Sequence, residues 1–184
     1  MNLRFLTGLL IALLAACTAP RESFVAARSG VIGDSRAIHA ARLAVHEASD
    51  GLVPVVIRGD PFAGRVVDPN AIVAGVLRLP PGFSRASFIQ TAKAEEGRGG
   101  RLVLVFDAEN PNLEVRQICR DLDTVEVAEP DGRLRLSAAF CIGERAARGA
   151  VGETTRPQAM NEEFKGFLDR VLNEVFPIQG RLGP

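Results

Sequence analysis

The sequence predicts one globular domain of the α/β (α+β) class, a two-layer sandwich in which amphipathic helices cover a mixed sheet. Three observations predict it. Val53 to Ile57 and Leu102 to Phe106 are short apolar runs of the kind found in strands buried on both faces. Leu134, Leu136, Ala138, Phe140 and Ile142 alternate with other residues, as in a strand with one face on a core. Met160, Phe164, Phe167, Leu168, Val171, Leu172 and Val175 recur at helical spacing, making a stripe broad enough to cover a sheet.

The elements follow in order. Asp34 and Ser35 read as N-cap residues before Ile38, Ala41, Val45 and Ala48, a helix that Ser49-Asp50-Gly51 ends. Pro54 sits near the start of the first strand, where a missing donor is tolerated, and Arg58-Gly59-Asp60-Pro61-Phe62 breaks that strand. Asp68-Pro69 has the order of cap and first-turn proline; Ile72, Val73, Val76 and Leu77 form its stripe, and Pro80-Pro81-Gly82 stops it. Ser84 to Lys93 reads as a short helix and Glu95 to Gly100 as an exposed loop. The central strand Leu102–Phe106 gives way to a turn over Asp107 to Pro111, and Leu113 to Cys119 is mixed. Thr124 to Val127, the turn Glu129-Pro130-Asp131-Gly132 and the alternating run from Leu134 read as a hairpin. Arg145, Arg148 and Arg156, with glycines between them, read as a solvated loop. The last helix opens on Thr155 and Gln158 as a capping box with Pro157 in its first turn, and stops at Pro177.

The N-terminus carries an address. Arg4 precedes an uncharged run from Phe5 to Ala16, too short at about a dozen residues for the roughly 20 of a membrane-spanning helix. A basic start, a short apolar core and a small-residue cleavage site make a secretory signal peptide. Leu14-Ala15-Ala16-Cys17 is similar to the lipobox of bacterial lipoproteins. That resemblance implies cleavage before Cys17, acylation of its sulfur and amino group, and permanent membrane attachment by the chains. With Thr18 and not Asp after the cysteine, it implies the periplasmic side of the outer membrane. The expected organisation is a signal peptide over 1–16, a flexible tether over 17–33, a domain over 34–178 and a disordered tail over 179–184.

Composition narrows the function classes. The 22 basic and 22 acidic residues balance, so the chain lacks the basic field of a nucleic-acid binder. It contains no Trp and no Tyr, the rings on which sugars and single-stranded bases usually stack. Of its 3 cysteines, Cys17 is assigned to the lipid, leaving Cys119 and Cys141 as a pair in an oxidising compartment. A bridge between them closes a loop of about 22 residues, worth roughly 3 kcal/mol on the chain-entropy estimate.

Candidate chemistry is sparse. His39 and His46 are the only histidines, seven residues apart, wider than the i, i+4 pair that holds zinc; they read as surface residues, and no metal site is expected. None of Ser35, Ser49, Ser84, Ser87 and Ser137 lies in a Gly-x-Ser-x-Gly turn. Gly97-Arg98-Gly99-Gly100 reads as a turn, and no cofactor motif is present. Asp60, Asp107 and Glu109 follow the two buried strands. If those strands are parallel neighbours, the carboxylates meet at one edge, where they would form an acid/base pair or simply make turns.

Val55-Val56-Ile57-Arg58-Gly59-Asp60-Pro61-Phe62, Ala138-Ala139-Phe140-Cys141 and the closing helix ending in Val175-Phe176-Pro177 resemble small envelope lipoproteins of Gram-negative bacteria. The resemblance covers most of the chain after Cys17, and it brings no catalytic residue with it. The expectation is a lipid-anchored, non-catalytic domain that binds an envelope protein or maintains the envelope. An envelope hydrolase using the strand-end carboxylates, or a binder of a small molecule or lipid, are the alternatives.

Overall fold

The computed structural model describes residues 23–27, 34–48, 51–83, 86–91 and 100–176. The signal peptide, Cys17, the rest of the tether, the Ser49-Asp50 stop, the glycine-rich loop before Gly100, Pro177 and the tail lie outside the described residues. Six strands form one mixed sheet: β1 (Ser23–Ala27), β2 (Leu52–Arg58), β3 (Ser87–Gln90), β4 (Gly100–Phe106), β5 (Arg133–Ile142) and β6 (Arg145–Thr155). Their spatial order is β1-β6-β5-β4-β2-β3, with β2 parallel to β3 and β4 and the remaining pairs antiparallel.

Helices α1 (Asp34–His46), α2 (Pro69–Val76) and α4 (Glu162–Val175) lie on one face. Val53, Val55, Leu102, Leu104, Leu136 and Phe140 meet Ala41, Val45, Val73, Phe167, Val171 and Val175 in the main core. Among the described residues, the opposite face carries the short α3 (Val115–Arg120) and the β4–β5 connection, which bury Val56, Val103, Val105 and Ala139. The α/β class, the centrality of β4 and the covering role of α4 stand as expected.

Several elements differ from expectation. Ser23–Ala27 are not part of a tether: they form β1, with Ser23 opposite Glu153 and Ala27 opposite Gly149. Ser87–Gln90 are a strand and not a helix, because pairing along β2 sends Phe88 into the core beside Phe176. Thr124 to Val127 make no hairpin with β5, since β4 and β6 already occupy both of its edges; only Val127 forms a bridge, to Ala108. The hairpin partner of β5 is β6, which contains Arg145 and Arg148 and ends just before Arg156, in place of the expected solvated loop. Leu113 to Cys119 yield most of α3. Helix α2 begins at the expected Asp68 cap, whose side chain accepts from the Ala71 amide at 3.1 Å, but stops at Val76, before the prolines. The cap of α4 is Asn161, accepting from the Phe164 amide at 2.8 Å; Thr155 belongs to β6, so the Thr155/Gln158 capping box does not form.

Candidate functional site

Two ends of the sheet carry polar groups. At the first, β2, β4 and β6 finish and β5 begins. The parallel register Arg58 to Val105 brings the loops after β2 and β4 together, as the sequence expectation required. Gly59 makes the break after β2 with φ +84°, and a Cβ there would stand 2.4 Å from the Phe106 carbonyl oxygen, so only glycine lets the turn approach β4 this closely.

The carboxylates at this end are engaged by the fold. Asp60 accepts from the Phe62 amide at 2.8 Å and the Gly64 amide at 2.6 Å, which closes the turn. Asp107 accepts from the Arg135 amide at 3.1 Å through Oδ1 and from Arg156 Nη2 at 2.8 Å through Oδ2. Arg156 is the residue that organises the end. Its side chain is only 4% exposed, and besides Asp107 it donates to the carbonyls of Asp131 at 2.5 Å and Arg133 at 2.6 Å. Longer contacts of 3.5 Å reach the carbonyls of Asp60 and Pro61. A carboxylate whose two oxygens are held by an amide and a permanently charged guanidinium is a structural ion pair rather than a poised base. Glu109 stands apart, fully exposed beside Glu126. The hydrogen bond and charge of the Glu126 carboxyl hold its own carboxyl above the usual range. The three carboxylates therefore do not converge on one reacting position.

At the other end, where β2 and β4 begin, an open cleft of about 390 Å³ lies between α1 and the chain around Phe83. Arg42, Val45 and His46 on one turn of α1 face Gly82, Phe83 and Ala86, with Gly51 at the floor of the sheet. The Arg42 guanidinium lies over the Phe83 ring at 5.6 Å from its centroid, a cation–π contact that rigidifies a charged group beside an apolar wall. Leu43 on α1 and Leu52, next to Gly51, are 45% and 39% exposed. His46 was visible in the sequence as a surface residue; Arg42 and Phe83 were not singled out, because they lie 41 positions apart and only the crossing of α1 with the turn before β3 joins them.

His39 and His46 are exposed, and among the described residues no group of three or more His, Cys, Asp and Glu side chains is arranged to hold a metal ion. Ser137 is buried in β5 and Ser87 lies on the outer strand β3. Cys119 and Cys141 are bonded, with Cα atoms 5.5 Å apart, and clamp α3 to β5. Among the described residues no helix is long and apolar enough to cross a membrane. Compared with models of protein families, with curated proteins and with solved structures, the chain matches none.

Proposed function

We propose that this protein is an envelope lipoprotein, held at the periplasmic side of the outer membrane by acyl chains on Cys17, whose domain binds another envelope protein without catalysing a reaction. The lipobox-like Leu14-Ala15-Ala16-Cys17 supports the anchor, and the Cys119–Cys141 bridge agrees with an oxidising compartment. One observation carries the binding role: the two ends of the sheet are built differently. At one, the buried Arg156 is joined to Asp107 and to the carbonyls of Asp131 and Arg133. At the other, a cation on an aromatic wall borders an open cleft flanked by exposed leucines. An open cleft with an aromatic wall between exposed leucines suits a partner offering an apolar side chain.

Site-specific photocrosslinking in native envelopes tests this reading. A reactive group in place of Leu43 should capture one discrete partner, whereas one in place of Glu163, at the Arg156 end, should not. Arg42→Glu should reduce the capture at least tenfold. The cleft volume, within the range of small-molecule sites, favours a small ligand or lipid as the second reading. Capture of no protein, together with co-purification of a small molecule lost in Arg42→Glu, would favour that second reading.

A further inference from the structure

We propose that the domain stands on the membrane at its Arg156 end, with the loop around Arg65 and Val67 resting on the lipid surface, an inference that rests on the acylated Cys17 proposed above. Only Thr18 to Glu22 separate Cys17 from Ser23, the first residue of β1. A chain rising at most about 3.6 Å per residue spans roughly 20 Å over that interval.

The sheet register fixes where this leash is attached. Ser23 is level with Glu153, and Glu153 with Arg135, so the chain enters at the end where β5 begins. Val55 is level with Leu102 and Leu102 with Phe140. The cleft at Gly51 is thus five residues from Arg135 to Phe140 and four more from Val55 back to Gly51, about 30 Å along the sheet at 3.3–3.4 Å per residue. A leash of roughly 20 Å is too short for the domain to stand on that far end, which would lift Ser23 about 30 Å above the bilayer that holds Cys17. It holds the Arg156 end close to the surface, and an upright sheet then turns the Arg42 cleft away from it.

The end brought close carries a group suited to lipid. Val67 is 92% exposed, the most exposed large apolar side chain among the described residues, and exposed Arg65 lies two positions before it. An apolar tip beside a cation is what enters an interfacial layer while its charge meets lipid phosphates. The β4–β5 connection at the same end holds Glu109, Glu126, Glu129 and Asp131, all exposed. These acids tilt that connection away from an anionic surface and leave the Arg65–Val67 loop, on the way to α2 on the helical face, as the leading edge.

The absence of Trp and Tyr from the chain makes a direct test simple, because one introduced Trp is the sole reporter. Acylated full-length Val67→Trp, and Glu144→Trp in the exposed turn at the far end, are reconstituted into vesicles of phosphatidylethanolamine and phosphatidylglycerol with brominated acyl chains. Val67→Trp emission should be quenched at least threefold more than that of Glu144→Trp; Arg65→Trp serves as a second reporter on the same loop. Any lipid preference of the ring itself is common to both ends. Equal quenching at the two ends, or stronger quenching at position 144, overturns the orientation. Intact mass separates the two ideas: acylated protein without differential quenching sinks the orientation alone, whereas protein lacking the acyl mass sinks the anchor and the orientation with it.

Discussion

Arg156 and Asp107 form an ion pair with side chains 4% and 10% exposed, and the arginine also satisfies the carbonyls of Asp131 and Arg133. Removing one member of such a pair leaves an uncompensated buried charge, which costs about 3–5 kcal/mol. Arg156→Ala should therefore lower unfolding free energy by about that amount in urea titration. Arg156→Lys should recover little, since one ammonium cannot serve the same fork of acceptors. The rival reading of Asp107 as a catalytic base expects the reverse pattern, a folded Asp107→Asn protein that has lost a reaction. The carboxylates at this end were legible in the sequence, as strand-end acids that make turns or chemistry. The arginine was not, because its partners lie 23 to 96 residues away and nothing beside Thr155 or Pro157 marks it as buried.

At the scale of elements, legibility followed side-chain size. Helix α4 and strands β2 and β4 announce themselves through large apolar residues at regular spacing, and the structure buries those residues. Strand β6, Arg-Ala-Ala-Arg-Gly-Ala-Val-Gly-Glu-Thr-Thr, does not, because its inward positions are alanines and glycines that accommodate neighbours from both faces. At Gly149 a Cβ would stand 2.4 Å from Val115 of α3, so the small residue is what lets that helix lie against the sheet. Strand β3 offers only Phe88 to the main core, and tertiary pairing overrode its weak local pattern. Two losses should measure these elements. Phe167→Ala, emptying a fully buried position on α4, should cost about 3–5 kcal/mol by denaturant titration. Cys119→Ser, opening the clamp between α3 and β5, should cost about 2–4 kcal/mol. An unchanged melting temperature in Phe167→Ala with lost partner capture would make α4 an interaction element instead of a cover for the sheet.

For the whole molecule, the asymmetry of the sheet and the shortness of the leash act together. With the proposed acyl anchor on Cys17, the chain joins the sheet as an edge strand after five residues, so anchoring and orientation would be one property. They can be separated experimentally. Inserting twelve Gly/Ser residues between Glu22 and Ser23 lengthens the leash to about 18 residues, whose mean span is roughly 23 Å and whose full reach is about 60 Å. That reach exceeds the roughly 30 Å between the level of Ser23 and the cleft, so the domain can also invert onto its far end. Palmitate labelling and membrane fractionation should stay as they are, since Cys17 and the residues before it are unaltered, while Cys17→Ala alone should abolish both. In the insertion variant, quenching of Glu144→Trp by brominated lipid should rise toward the value at Val67→Trp. If the Trp at the far end stays unquenched by brominated lipid despite the longer leash, the loop at Val67 holds the domain upright by its own contact with the surface. If quenching at both positions already matches with the native leash, the domain lies flat, and the cleft reaches its partner along the membrane and not across the periplasm.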